Sequence, residues 1–230
     1  ASTQIVQPVV RKSMPYDAEK DFIPIMATGG SASVIVVHPS LPVKNLREFI
    51  DYAKANPEMV SYGSSGNGTA LHLAGEVFAS IAGVKLQHIP YKTAAQSMTD
   101  LLGGQVKAMF DSPNNSSPQI KNGKVKGLAV MGPERLSVLP DVPTMNESGY
   151  PGFDAAIWYS IVGPKGLPKE VMDKLVPAFN EVMKDPTIVK SVNADGYDVI
   201  EMTPAQMDEL VQKDLKRWGE IIKKAGVKDE

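Results

Sequence analysis

A chain of 230 residues with 43% hydrophobic content is long enough for one large domain or two small ones with their own cores. A formal net charge of −2 without a long basic run leaves no electrostatic footprint for nucleic acid or for an anionic membrane surface. The absence of cysteine excludes disulfides, thiolate metal sites and cysteine nucleophiles, and is compatible with an oxidising compartment. The longest apolar runs, "VIVV" and "IWYSIVG", are too short to span a bilayer, and no charged and then apolar leader opens the sequence, so the chain as it stands reads as soluble.

Short β-branched runs alternate with helix-period segments, the pattern of an α/β protein. In chain order, strands are expected near residues 22–26, 33–37, 59–62, 85–89, 107–110, 126–131 and 157–162. Helices are expected near 45–55, 69–82, 93–102, 115–122, 168–184, 186–194 and 204–225. Asn45 before "LREFI", Leu167 before Pro168 and Thr203 before Pro204 mark helix starts. Proline- and glycine-rich joints at "HPSLP" (38–42) and "GPKGLP" (163–168) are places for sharp changes of direction that could bracket a domain.

The stretch "YGSSGNGTALHLAGEVF" (62–78) places a strand end, a flexible turn and a helix start in succession. Unpaired N–H groups and the positive end of a helix dipole then meet at one point, an arrangement suited to an anion. Glycine permits close approach and positive φ, and the hydroxyls of Ser64, Ser65 and Thr69 are further donors. The competing reading is an ordinary capped turn with Thr69 or Asn67 as N-cap. The Gly63-to-Gly68 spacing imitates a P-loop, but Thr69 stands where its lysine would be, and glycines at 63, 66 and 68 do not fit G-x-G-x-x-G. A small anion remains, most simply a carboxylate.

Other candidates carry less chemistry. His38, His72 and His88 are scattered, and "HLAGE" lacks a zincin's second histidine, so His72 reads as a packing or hydrogen-bonding residue. Asp111 ends the strand "MFD", where it either orients a ligand at the sheet's carboxyl edge or caps the turn "SPNNSSPQI". Trp158 and Tyr159 read as core or hinge. No Ser-His-Asp order, nucleophile elbow or paired-carboxylate motif stands out, which favours binding over catalysis; no cofactor is expected.

The stretches "DFIPI", "VIVVHPSLPVKNLREFIDYAKANP", "YGSSGNGTALHLAGEVF", "HIPYKTAAQSMTDLLGGQVKAMFDS", "KVKGLAVMGPERLSVLPDVPTMNESGYPGF" and "AIWYSIVGPKGLPKEV" resemble, in order and over nearly the whole chain, the extracytoplasmic solute receptors of tripartite tricarboxylate transporters, the Bug family. The resemblance implies a two-domain, type II periplasmic-binding-protein-like α/β fold with crossover strands. It implies a small di- or tricarboxylate or aromatic acid held between lobes, often through bridging water, and delivery to permease subunits of such a transporter. It also implies a periplasmic location. On this template residues 36–157 form the second domain, and 1–35 with 158–230 the first. The ligand residues implied are Ser64, Ser65, Gly66, Asn67, Gly68, Thr69 and Asp111, with Thr3 and Gln4 resembling the end of a first-domain loop.

Family members usually begin with a strand, a proline- and glycine-rich loop and a helix, none of which precedes "ASTQIVQP". The first domain is therefore expected to be incomplete, ligand binding by this chain weakened, and self-association through an exposed sheet edge possible. Two other functions are weighed. An effector domain of a transcription regulator would accompany a helix-turn-helix segment, which is not visible. A carboxylate-acting enzyme would need a nucleophile or a perturbed acid/base pair in the cleft.

Overall fold

The computed structural model describes residues 13–150 and 156–225. Its strands are β1 (Phe22–Ala32), β2 (Val34–Val37), β3 (Ser61–Ser64), β4 (Gln87–Pro90), β5 (Ala108–Asp111), β6 (Lys126–Val130) and β7 (Ala156–Pro164). The helices are α1 (Leu46–Ala55), α2 (Ala70–Ala82), α3 (Ala94–Leu102), α4 (Pro113–Lys121), α5 (Lys169–Lys184), α6 (Pro186–Ala194) and α7 (Pro204–Ala225).

One sheet has the order β4-β3-β5-β2-β6. Strands β4, β3 and β5 run parallel, and β2 is inserted antiparallel between β5 and β6. All four residues of β2 are buried, as a strand paired on both edges and covered on both faces requires. The sheet therefore has a carboxyl edge at which Ser64, Pro90, Asp111 and Val130 end their strands and β2 begins. Above one face pack Phe49, Tyr62, Phe78 and Phe110, and below the other Val34, Val36, Met98 and Met109.

Helix α1 buries Leu46, Phe49, Ile50 and Ala53, the spacing of one helical stripe. Asn45 accepts from Glu48 N at 2.9 Å while the Glu48 carboxylate accepts from Lys44 N at 2.8 Å, closing the start of the helix. Thr203 and Gln206 exchange the same kind of bonds before α7. The start expected at Leu167 falls one residue later, where Pro168 flanks α5 with no side-chain cap. Helix α4 starts earlier than expected because Pro113, with its fixed φ, takes a first-turn position.

The second sheet is the pair β1–β7, antiparallel from Phe22↔Pro164 to Ala32↔Ala156. Strand β1 runs six residues beyond the expected end at residue 26, through "ATGGSA". Glycine is what permits this: a Cβ on Gly29 would lie 2.9 Å from the Asp198 carbonyl, and Gly30 exchanges backbone bonds of 2.9 and 2.8 Å with Asp198. Helix α5 lies along β1, yet none of its side chains is fully buried. Strand β7 is tied to α7 by Trp158, whose indole N–H donates to Asp214 Oδ2 at 2.7 Å. Asp214 is 3% exposed, and Arg217 holds its other oxygen at 3.1 Å.

Trp158→Phe keeps most of the apolar contact but removes a donor from a buried carboxylate. Such a loss costs about 1–3 kcal/mol, and urea unfolding should show a destabilisation of that size. An unchanged midpoint would mean that the indole N–H contributes nothing to holding β7 on α7.

Candidate functional site

Strand β3 ends in Ser64, and the chain then turns through Gly66 and Gly68, at φ of 117° and 69°, into α2. Both angles lie in the left-handed region that favours glycine. A Cβ on Gly66 would in addition stand 3.3 Å from the Tyr91 carbonyl. Continuing the β3–β5 register past Gly63↔Met109 brings Ser65 level with Asp111, on strands about 4.8 Å apart. The turn 64–69, Asp111 and the first turn of α4 thus adjoin one another along the carboxyl edge, the location where open α/β sheets place ligands.

Within the turn most side-chain groups face inward. Ser64 Oγ is buried, accepts from Gly66 N at 3.1 Å and lies 2.7 Å from His88 Nε2. Thr69 is the N-cap of α2: its hydroxyl donates to Gly66 O at 2.8 Å and accepts from His72 N at 3.3 Å. Gly68 N donates to His72 Nδ1 at 3.1 Å. The hydroxyls expected as ligand donors at 64 and 69 therefore brace the turn. What this braced turn directs along the carboxyl edge is the dipole of α2 and the amides of Ala70 and Leu71, which precede the first intrahelical donor, Leu73 N.

A column of rings supports the turn from within. His72 and His88 stack at 4.0 Å and 19°, Tyr62 stacks on His88 at 4.9 Å, and Phe110 meets Tyr62 edge-on at 5.3 Å. The Tyr62 hydroxyl donates to Glu76 Oε1 at 2.6 Å. Burial, reinforced by the Glu76 carboxylate, pushes the Tyr62 phenol far above its ordinary range. Burial, with His72 beside it, pulls the His88 imidazole down to about 4, so it is neutral at pH 7. His88 reads in the sequence only as one of three scattered histidines, because its role depends on the parallel register that sets it opposite Tyr62 and Pro90 opposite Ser64.

Asp111 is fully buried. The Asn115 amide donates to its Oδ2 at 2.9 Å, tying β5 to the first turn of α4, while Oδ1 has no partner. Burial pushes this carboxyl up to about 7 against the opposing pull of Asn115 and the Ser112 backbone. Nearby, Ser31, Ala32, Ser33, Ser112, Pro113, Tyr159 and Tyr197 line a small cavity between the start of β2, α4 and the crossover pair. The Tyr197 hydroxyl donates to Asn114 Oδ1 at 3.3 Å, and its ring meets Tyr159 edge-on at 5.6 Å. The buried Ser33 hydroxyl at this cavity also has no partner. Neither Ser33 nor Tyr197 was singled out in the sequence, since only the antiparallel insertion of β2 and the return of the chain after α6 bring them here. Tyr159 lies on the crossover strand and lines the cavity. Thr3 and Gln4 lie outside the described residues. Among the described residues, no cluster of three or more His, Asp or Glu side chains could hold a metal ion, and no helix is long and apolar enough to cross a membrane.

The family model described as the tripartite tricarboxylate transporter family receptor matches residues 1–227. The solved periplasmic binding protein BugD is 37% identical with a TM-score of 0.91, all of this chain aligning with 77% of that one. Rpa4515 of R. palustris, solved with adipate, is 29% identical with a TM-score of 0.91, covering 98% of this chain and 75% of that one. MatC of Rhodopseudomonas palustris, solved with bound malate, is 25% identical with a TM-score of 0.88, covering 96% of this chain and 76% of that one. The chain spans about two-thirds of the length of the curated relatives it matches, 62% and 66% for two of them.

Asp111 sets a pH dependence of known sign. An unfolded aspartate titrates at 3.8, so between that pH and about 7 the folded state retains a proton that the unfolded state has released. The stability from this group is complete below pH 4 and is lost as pH rises toward about 7. Measured by urea unfolding, Asp111→Asn should gain stability relative to the natural protein from pH 4.5 to pH 7 and level off above it. A difference independent of pH would mean that the carboxyl ionises as in water.

Proposed function

The chain belongs to the tripartite tricarboxylate transporter receptor family, and on that premise we propose that it is a periplasmic solute receptor that captures a small carboxylate and delivers it to the permease of such a transporter. The observation that carries this reading is the carboxyl edge of the five-stranded sheet. There the N-termini of α2 and α4, a glycine-rich turn and two tyrosines adjoin, with no lysine or arginine in the segments 64–69 and 111–117. Backbone amides and helix dipoles are suited to an anion of this kind. Relatives solved with adipate and with malate support a dicarboxylate as the ligand.

The division of the ligand's contacts follows the fold. In this reading the turn 64–69 and α2 hold one carboxylate, and the small cavity at Ser33, Ser112, Tyr159 and Tyr197, with room for about one water, takes a water that bridges to the ligand. The buried Asp111, braced by Asn115, keeps the first turn of α4 in place beside it. The lobes assigned to 36–157 and to 1–35 with 158–230 would close by bending where β1 passes into β2 and where β7 begins. The one hydroxyl of the turn that lies beside an imidazole, Ser64, is buried and committed to Gly66 and His88, and in this reading the ligand is held and released unchanged.

Calorimetric titration with malate, adipate, citrate and benzoate tests the reading. At least one should bind with a dissociation constant of micromolar order, about −8 kcal/mol. Gly66→Val should weaken that binding at least tenfold, because a β-branched residue strains at φ of 117° and its Cβ would press on the Tyr91 carbonyl. Failure of all four acids to bind would sink carboxylate capture by this chain, and a valine variant of full affinity would remove the turn from the site.

A further inference from the structure

The stacked histidines beneath the turn have a use that neither the fold nor ligand contact accounts for. Two of the turn's amides are taken up inside the protein: Gly66 N by Ser64 Oγ at 3.1 Å and Gly68 N by His72 Nδ1 at 3.1 Å. The hydroxyl that receives Gly66 is itself joined to His88 Nε2 at 2.7 Å. Each imidazole therefore governs one glycine of the turn, His72 directly and His88 through Ser64. The rings are held against each other at 4.0 Å, so the two glycines are positioned by one rigid pair.

We propose that His72 and His88 are positioning residues of the ligand turn, which fix its glycine amides from below and so aim the N-terminus of α2 at the bound acid. Stacking alone does not serve this purpose; the ring nitrogens must form their bonds. Because Gly68 N donates to it, Nδ1 of His72 carries no proton, which leaves the neutral ring's proton on Nε2, turned toward Glu76 Oε1 at 3.9 Å. Glu76 is in turn held by the Tyr62 hydroxyl, so the ring orientation is transmitted from β3 to the turn through α2. His88 is neutral at pH 7, and its bond to Ser64 persists in either tautomer, since the hydroxyl both donates and accepts. A displaced turn costs affinity even when no ligand contact is deleted, because donors held out of line contribute little.

The proposal rests on the turn being a carboxylate pole, and the test separates the two claims. An asparagine amide places its polar atom near the Nδ1 position of histidine, and a glutamine amide near Nε2. His72→Asn and His88→Gln therefore keep the polar atom and lose the ring, whereas His72→Phe and His88→Phe keep the ring and lose the atom. Malate and adipate titrations are paired with amide hydrogen exchange at Gly66 and Gly68, which needs no ligand. The Phe variants should bind about five- to tenfold more weakly, as expected for one lost hydrogen bond, and exchange faster at the matching glycine. The Asn and Gln variants should recover most of both. Phe variants with natural affinity and natural exchange would overturn the proposal and leave the histidines as packing residues. Faster exchange with unchanged affinity would instead overturn the turn as a ligand pole while the histidines still hold it. If neither acid binds the natural protein, exchange alone decides the hold on the glycines.

Discussion

The Tyr62 ring sets the geometry on which the carboxyl edge depends. It is fully buried on β3, meets Phe110 edge-on, stacks on His88 and reaches Glu76 with its hydroxyl. The helix above comes so close that a Cβ on Gly75 would stand 2.4 Å from the ring, a separation no side chain tolerates. Glycine at 75 and tyrosine at 62 are thus one device: the missing side chain lets α2 settle on the aromatic face, and the ring then fixes the helix's height and rotation. The height decides where the N-terminus of α2 emerges beside Ser64. The rotation decides that His72, one turn in, faces back under the loop.

Legibility from the chain alone follows from how local each cause is. Helices α1 and α7 announce themselves through Asn45 and Thr203, whose caps involve residues three positions away. The N-cap role weighed for Thr69 is visible for the same reason. The length of β1 is not, because Gly29 and Gly30 ordinarily interrupt a strand, and only the distant Asp198 explains why they pair here. The order of the sheet is equally hidden: β2 precedes β5 and β6 in sequence by many residues, yet lies antiparallel between them. The turn 64–69 was legible as a glycine-rich passage from strand to helix, while the inward commitment of its hydroxyls was not, since His88 lies 24 residues away from Ser64.

Asp111 illustrates how a buried carboxylate can tie together the elements that meet at a sheet's edge. A charged carboxylate buried beside an anion pole would oppose the ligand, and desolvation works in the other direction by favouring the neutral acid. Its Oδ2 receives Asn115, and its position opposite Val34 ties β5, β2 and α4 together at the point where the edge opens. Of the two roles open to it in the sequence, ligand orientation or capping of the following turn, the structure adds that the bond it accepts comes from the first turn of α4.

The absence of lysine and arginine from both edge segments bears on how such a receptor would release its cargo. A guanidinium bound to a carboxylate in a closed, poorly solvated cleft forms a strong bidentate pair, and opening the cleft must then compete with that pair. Amides and helix dipoles offer an anion several weaker bonds whose strength depends on alignment and on exclusion of water. When lobes part, water enters and the same donors lose most of their advantage at once. In the receptor reading, affinity is therefore tied to closure, and the rigid column from Phe110 to His72 keeps the donors aligned so that closure alone completes the site.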